Sequence, residues 1–282
     1  MSAAPSRHAP DQPQQGFCEL TMLRISGTGR ERLCDEVIAE APVALVYNGV
    51  SFAVMMATPC DLEDFALGFA LAEGVVAGPE EFELVDILRT DRGITLQGLI
   101  PGERFDALQR RRRSLAGRSG CGLCGIESLE EAVRPAPPVG RGPDLDRAVV
   151  AAGMRALAQG QSLNPVTGGA HAAAFIDPNA RPIVREDVGR HNALDKLIGA
   201  LAADCPNRET LFARTSSGFA AITSRASWEM VHKAAHADIA VVAAISAPTT
   251  LAIEAADAAG ITLIAFARDE SMNVYTHAER IG

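Results

Sequence analysis

The stretch IAVVAAISAPTTLAIEAADAAGITLIAFA, Ile239 to Ala267, decides the fold. It is the most apolar part of the chain, yet Pro248, Glu254, Asp257 and Gly260 interrupt it. An unbroken apolar run of about 20 residues would be needed to span a bilayer. The interruptions instead divide the stretch into a strand (Ile239–Ile245), a turn, a helix (Thr249–Ala259) and a second strand (Ile261–Ala267). Two β-rich runs joined by a helix form the repeating unit of a layered α/β domain.

Working outward, the same rhythm fills the second half. The pattern predicts a helix over Asp144–Gln159, strands at His171–Ile176 and Ile183–Val188, and a helix at Asn192–Ala203. A strand at Thr210–Arg214 and a helix at Ser224–Ala235 follow. The expected fold class is α/β, with helices covering a sheet that is at least partly parallel.

The first half reads as a smaller β-rich region. Asn48-Gly49 between Val43–Tyr47 and Val50–Met56 is a strong hairpin signal, because both turn positions need positive φ. A helix should follow, capped by Asp61 and closed by Gly74. Leu84–Leu88 and Ile94–Leu99 around Asp91-Arg92-Gly93 suggest a second hairpin. The resulting division is a disordered polar tail (1–16), a β-rich region (17–133), a Pro-rich linker (134–143) and an α/β domain (144–282).

The formal net charge of −9 disfavours general nucleic-acid binding, which needs a basic excess. The N-terminus lacks the apolar segment of a secretory signal, so a cytoplasmic location without membrane attachment is expected. Six cysteines in 282 residues, in that setting, point to reduced thiols.

Four groups of residues suggest chemistry. The first is Ser119-Gly120-Cys121-Gly122-Leu123-Cys124-Gly125. A thiolate there would have little side-chain obstruction, and Arg118 and Arg110–Arg113 would favour its anion if near. A lone CxxC equally fits half of a zinc or iron–sulfur site, a redox pair or an inert turn. The second is Thr167–Ala173. Zinc deaminases carry His-x-Glu followed by Pro-Cys-x-x-Cys. Here Ala173 replaces the Glu and no such cysteine pair follows, leaving His171 as a ligand contact or a hydrogen-bonded strand start.

The third is Arg185–Asn192, crossing from strand into helix, where Arg190 and His191 beside a helix N-terminus could hold an anion. The alternative is a turn in which Arg185 and Arg190 answer Glu186 and Asp187. The fourth is a set of polar strand ends: Thr215–Gly218 with Ser217, Ser246–Thr250, and Arg268–Asn273. On one sheet edge they would form a nucleotide crevice.

Together these segments resemble the formate dehydrogenase accessory sulfurtransferase (FdhD) family. The resemblance rests on Ser119–Gly125, Thr167–His171, Glu186–Lys196, Ser224–Met230 and Ile245–Ala252. It implies a cytidine-deaminase-like three-layer α/β/α C-terminal domain without deaminase activity, working as a homodimer. It implies a sulfur carrier that takes sulfur from a cysteine desulfurase as a Cys121 persulfide, with Cys124 assisting. The acceptor would be Mo-bis(molybdopterin guanine dinucleotide) destined for formate dehydrogenase, with no permanent metal. Cofactor contacts would fall on Phe266, Ala267, Arg268, Asp269, Glu270 and Ser271. The residue-level reading adds Arg190, His191 and Ser217. A non-catalytic cofactor chaperone and a metal-binding assembly module are the alternatives.

Overall fold

The computed structural model describes residues 16–27, 29–116 and 134–282, with residues 111–116 described by backbone only. Residues 1–15 of the expected tail and the whole cysteine loop lie outside the described residues; Gly16, placed in the tail by the sequence, is buried and accepts from the Ala39 N–H at 2.9 Å. The chain opens with a two-stranded antiparallel ribbon, β1 (Phe17–Ser26) and β2 (Gly29–Ile38). The sequence reading placed this segment in a β-rich region without resolving the strands.

The Asn48-Gly49 hairpin forms as expected from β3 (Ala41–Tyr47) and β4 (Val50–Ala57), with φ of 48° and 80° at the turn residues. Helix α1 (Leu62–Ala72) follows, then β5 (Glu83–Thr90), β6 (Gly93–Leu99) and α2 (Gly102–Ala116). The strands form a four-stranded sheet in the order β4-β3-β6-β5, in which β3 and β6 run parallel. Asp61 takes the N-cap position of α1, but in a left-handed conformation and without a side-chain capping bond. Gly74, with φ of 65°, closes the helix as expected.

The second half comprises α3 (Arg147–Gly160), a one-turn α4 (Asn164–Thr167), β7 (His171–Ile176), β8 (Ile183–Asp187) and α5 (Arg190–Ala202). Then come α6 (Arg208–Thr215), β9 (Phe219–Ile222), α7 (Trp228–His236), β10 (Val241–Ala244), α8 (Thr250–Ala259), β11 (Thr262–Arg268) and β12 (Ser271–Val274). Its six-stranded sheet has the order β12-β11-β10-β9-β7-β8. Strands β9, β10 and β11 are parallel, and β7, β8 and β12 run against their neighbours. Helix α3 covers one face through Val150, Met154 and Leu157, and helices α5, α7 and α8 cover the other.

One expectation fails. Thr210–Arg214 is not a strand but most of α6. Asn207 accepts from the Thr210 backbone N–H at 3.0 Å, and the Thr210 side chain closes a reciprocal capping box. A short apolar pair, Leu211-Phe212, fits a helix or a strand by periodicity, and the cap decides between them. The strand comes later, at Phe219. Residues 134–143 form neither helix nor strand, as expected. They lie against the second half, with the Val139 N–H donating to Ala259 O and the Gly140 N–H to Asp238 Oδ1.

The two halves share one core. Val43, Leu45, Phe65 and Phe69 pack in the same cluster as Leu194, Leu197 and Ile222. Helix α1 lies across α5 at Gly68 and Gly199. A Cβ at Gly68 would strike the Asp195 carbonyl, and one at Gly199 would strike that of Asp64. Only glycine allows this backbone approach.

Buried charge reinforces the same junction. Lys196 on α5 and Asp187 at the end of β8 are both fully buried and pair at 2.7 Å. Lys196 also donates to Thr58 O at 2.9 Å, while the Thr58 N–H donates to Asp187 Oδ2 at 2.9 Å. Asn192 joins Asp187 to Met56 O. Removing one member of such a pair strands the other charge in the core. Lys196→Met is therefore expected to lower unfolding stability by about 3–5 kcal/mol, measured by urea denaturation. A loss under about 1 kcal/mol would mean that Asp187 reaches water or a proton instead.

Candidate functional site

Antiparallel pairing decides which residues share an edge of the large sheet. The start of β7 faces the end of β8, and His171 pairs with Asp187. Because β7 also runs against β9, His171 lies beside the residues that follow β9. His171 Nδ1 is 3.5 Å from Thr223 Oγ1, and the Thr223 N–H donates to Ala172 O. The carboxyl ends of β10 and β11 continue this edge. The Phe266 N–H donates to Ser246 O, and Arg268 Nε donates to Ile245 O at 3.1 Å. Carboxyl ends of strands in open α/β sheets are the usual ligand positions. The edge runs from β8 to β11 across four strand spacings, roughly 19 Å at about 4.8 Å each.

Most of the Glu186–Lys196 motif is committed to structure. The buried Glu186 carboxylate accepts from the backbone N–H groups of Ser162, Leu163 and Asn164 at 2.6–2.9 Å, fixing the entry to α4. Arg185 pairs with Asp64 at 2.7 Å, across the junction between the halves. Neither Arg185 nor Arg190 answers Glu186 or Asp187, so the self-paired turn is not what forms. Asp195 is also taken, pairing with Lys233 at 2.8 Å.

That leaves Arg190 and His191 at the first turn of α5. Arg190 is half-buried and makes no ion pair among the described residues. Arg225, on the loop after β9, and Arg268, on β11, are exposed and likewise make none. Three arginines on one edge that make no ion pair among the described residues suit an anionic ligand, although the charge of Arg190 also acts on Glu229. Arg225 was missed in the sequence, where Ser224–Met230 read as a helix start. Its position depends on β9 ending at Ile222.

Electrostatics keep the histidines neutral. Burial, and then the charge of Arg190, pushes His171 below its ordinary value despite Asp187. His191 is pushed down to about 4 by burial and by the charges of Arg190 and Lys233, against Glu229 and Glu73. Its buried Nε2 has no hydrogen-bond partner among the described residues. A neutral imidazole with an unused ring nitrogen can bond a polar ligand group without adding charge. On α7, the rings of Trp228, His232 and His236 meet in succession in tilted contacts at 4.8 and 4.6 Å between centroids. Burial and the neighbouring His236 push His232 to about 4 as well.

The structure brings Phe266, Ala267 and Arg268 to the end of β11 and places Asp269 and Glu270 in the turn before Ser271 on β12. Phe266 has a positive φ of 52°, and the pairing of β11 with β12 shifts register there. Positive φ is rare for a bulky side chain and concentrates at functional positions. The ring is 41% exposed, a poor state for an aromatic side chain unless something stacks on it.

Ser217 does not join this edge. It precedes β9, at the opposite end of the sheet, and donates to Asp177 Oδ2 at 2.7 Å. Its expected position depended on the Thr210–Arg214 strand. A cavity of about 520 Å³ opens elsewhere, between Glu40, Pro42, Pro59, Arg89 and Arg92, and none of the residues above lines it. Cys121 and Cys124 lie outside the described residues. Among those described, no three His, Cys, Asp or Glu side chains group as a metal site, and no helix is long and apolar enough to cross a membrane.

The sequence model of the FdhD/NarQ family matches residues 38–282, which includes the whole edge. The chain belongs to the FdhD/NarQ family. It is 51% identical over 262 residues to the sulfur carrier protein FdhD of Xanthomonas euvesicatoria, covering 93% of this chain and 91% of that one. It is 50% identical to the sulfur carrier protein FdhD of Xanthomonas campestris, covering 100% of this chain and 96% of the relative. The crystal structure of a formate dehydrogenase accessory protein from Desulfotalea psychrophila superposes with a TM-score of 0.71 at 25% identity, covering 95% of this chain and all of that one. The family resemblance read from the motifs is thereby established, and the FdhD/NarQ match covers both halves of the shared core.

The histidines set a pH dependence. His232 protonates near 6.5 when unfolded but only near 4 in the folded protein. Between these values the unfolded state holds more protons, so stability falls as pH drops from about 6.5 to 4. Urea denaturation across this range should show that decline, partly offset by Asp195, which burial raises to about 6, and His232→Gln should make it shallower, with His191 carrying the remainder. An unchanged slope in the variant would place the pH sensitivity on other groups.

Proposed function

We propose that this chain is a cytoplasmic sulfur carrier. It would take sulfur from a cysteine desulfurase on Cys121 and hand it to a bound Mo-bis(molybdopterin guanine dinucleotide) before that cofactor enters formate dehydrogenase. The observation that carries this reading is the family membership, with full-length relatives described as sulfur carrier proteins, combined with an arginine-bearing sheet edge in an acidic chain.

The chemistry begins at the thiolate. Cys121 Sγ attacks the outer sulfur of the desulfurase persulfide, and the desulfurase cysteine leaves as a thiolate. Cys121 then holds a terminal sulfur. Attack by Cys124 on Cys121 Sγ would form a disulfide and release that sulfur as sulfide to the acceptor. The disulfide must be reduced before the next cycle. Arg134 is ten residue steps beyond Cys124, so the chain limits their distance to about 36 Å. Arg134 lies 4.0 Å from Glu73, which itself pairs with Lys233 on α7.

The acceptor would lie along the carboxyl edge. Arg190, Arg225 and Arg268 suit its phosphates, His191 Nε2 suits a polar ring atom, and the exposed Phe266 ring suits stacking on guanine. Phe266–Ser271 would form the contact segment implied by the family. The layering of helices on both faces of the sheet, with the buried Ala173 where a deaminase has its Glu, supports a deaminase-like origin without that activity. We also read the working protein as a homodimer.

Two measurements test this. After incubation with desulfurase and cysteine, mass spectrometry should show one added sulfur atom on the wild type and none on Cys121→Ala. Equal gain in both would remove Cys121 as carrier. A Cys121→Ala protein that still supports formate dehydrogenase would leave only a cofactor-binding chaperone. Separately, GDP should raise the melting temperature, and Arg190→Ala should weaken GDP binding about tenfold, as expected for losing one charge-assisted contact. No shift at saturating GDP would remove the edge as a nucleotide site.

A further inference from the structure

The cavity of about 520 Å³ at the hairpin end of the four-stranded sheet has no part in the chemistry above. Its volume falls in the range of small-molecule sites, about 300–1,000 Å³. The sheet register creates it. Val43, Ile94 and Arg89 stand side by side across β3, β6 and β5. Paired residues share a face, so this row lies on the face packed against the core. Val43 and Ile94 are buried there, whereas Arg89, at the end of the row, is exposed. Helix α1 begins only at Leu62, and Pro59, on the segment leading to it, supplies part of the wall.

The walls are held in place by the fold. Thr58, next to Pro59, is fully buried, and its N–H donates to Asp187 Oδ2. Its hydroxyl accepts from the Val188 N–H at 3.0 Å, and its carbonyl accepts from Lys196. On the hairpin, Thr90 Oγ1 donates to Gly93 O at 3.1 Å and accepts from the Arg92 N–H at 3.2 Å. Gly93, with φ of 140°, lies so close to Pro42 that a Cβ would strike the Pro42 carbonyl. Small-molecule sites are largely pre-formed in this way.

The lining selects the ligand. Pro42, Pro59 and Ile94 give an apolar surface, and Glu40, Arg89, Asp91 and Arg92 bring charge of both signs. None of the four makes an ion pair among the described residues. A guanidinium fork matches a carboxylate, and a carboxylate accepts from an ammonium group. A simple anion would answer the arginines but meet Glu40 and Asp91 unfavourably, whereas a ligand carrying both signs answers all four. At roughly 30 Å³ per water-sized group, the cavity has room for about 17 such groups, close to the number of non-hydrogen atoms in a dipeptide. We propose that this cavity binds a small zwitterion of dipeptide size. Its carboxylate lies on Arg89 and Arg92, its ammonium group on Glu40 and Asp91, and its apolar side chains against Pro42, Pro59 and Ile94.

Isothermal titration calorimetry of the full chain with leucyl-leucine tests it, and one molecule should bind per chain. N-acetyl-leucyl-leucine lacks the ammonium group, and leucyl-leucinamide lacks the carboxylate. Each should bind about tenfold more weakly or worse, as for the loss of a charge-assisted contact. The double variant R89Q/R92Q should weaken leucyl-leucine binding by about tenfold or more, and should no longer prefer it to leucyl-leucinamide. Both positions are exposed, and circular dichroism checks that the variant stays folded. No binding at millimolar leucyl-leucine overturns the proposal. Equal binding of the acetylated peptide also overturns it, because the site would then read an anion alone. Undiminished affinity in the folded double variant would place the peptide elsewhere on the protein and overturn it as well.

Discussion

The close crossing of α1 and α5 is the constraint on which the structure depends. Gly68 and Gly199 let the two helix backbones touch, with no room for a methyl group on either side. The contact joins the β-rich first half to the layered second half, so that one core runs through both. The buried Asp187–Lys196 pair and the Thr58 hydrogen bonds stitch the same seam one turn away along α5. Buried ion pairs are weak evidence of net stability but strict about geometry, since neither charge tolerates losing the other. The seam therefore fixes where β8 ends and where α5 begins.

That placement separates structure from function within one motif. Between Glu186 and Lys196, the charged residues Glu186, Asp187, Asp195 and Lys196 are consumed by packing, and Asn192 bridges the seam. Arg190 and His191 make no ion pair among the described residues. A long motif need not be a long site. Here it is a scaffold that aims two side chains.

The edge so built gathers arginines within an acidic protein, alongside Asp269 and Glu270 in the turn after β11. Arg190, Arg225 and Arg268 come from three separate elements, and the order of the strands gathers them. Burial keeps His191 neutral among these cations, so it adds a hydrogen-bonding nitrogen instead of a fourth charge. The strained backbone at Phe266 presents an aromatic face at the far end of the same edge. In the proposed sulfur carrier this edge would hold the acceptor, while the sulfur would travel on Cys121, in the segment that precedes Arg134. Binding and chemistry are thus assigned to different parts of the chain.

The sequence by itself determined the α/β class, the Asn48-Gly49 hairpin, the helices α5 and α8, and the strand-helix-strand run from Ile239 to Ala267. These follow from local physics: turn residues with positive φ, helix caps and the period of apolar side chains. It also determined the family, because its motifs are long and ordered. Tertiary structure decided the rest. Thr210–Arg214 read as a strand because two apolar residues cannot fix a period, and the Asn207 cap made it a helix. That change moved Ser217 to the wrong end of the sheet. The partners of Arg185 and Lys196, at Asp64 and Thr58, lie more than a hundred residues away, and no spacing rule reaches them. Arg225 became a site residue only when β9 placed it on the same edge as Arg190. Which charges are spent on packing and which remain for a ligand depends on the neighbours each acquires, and those are set by the fold.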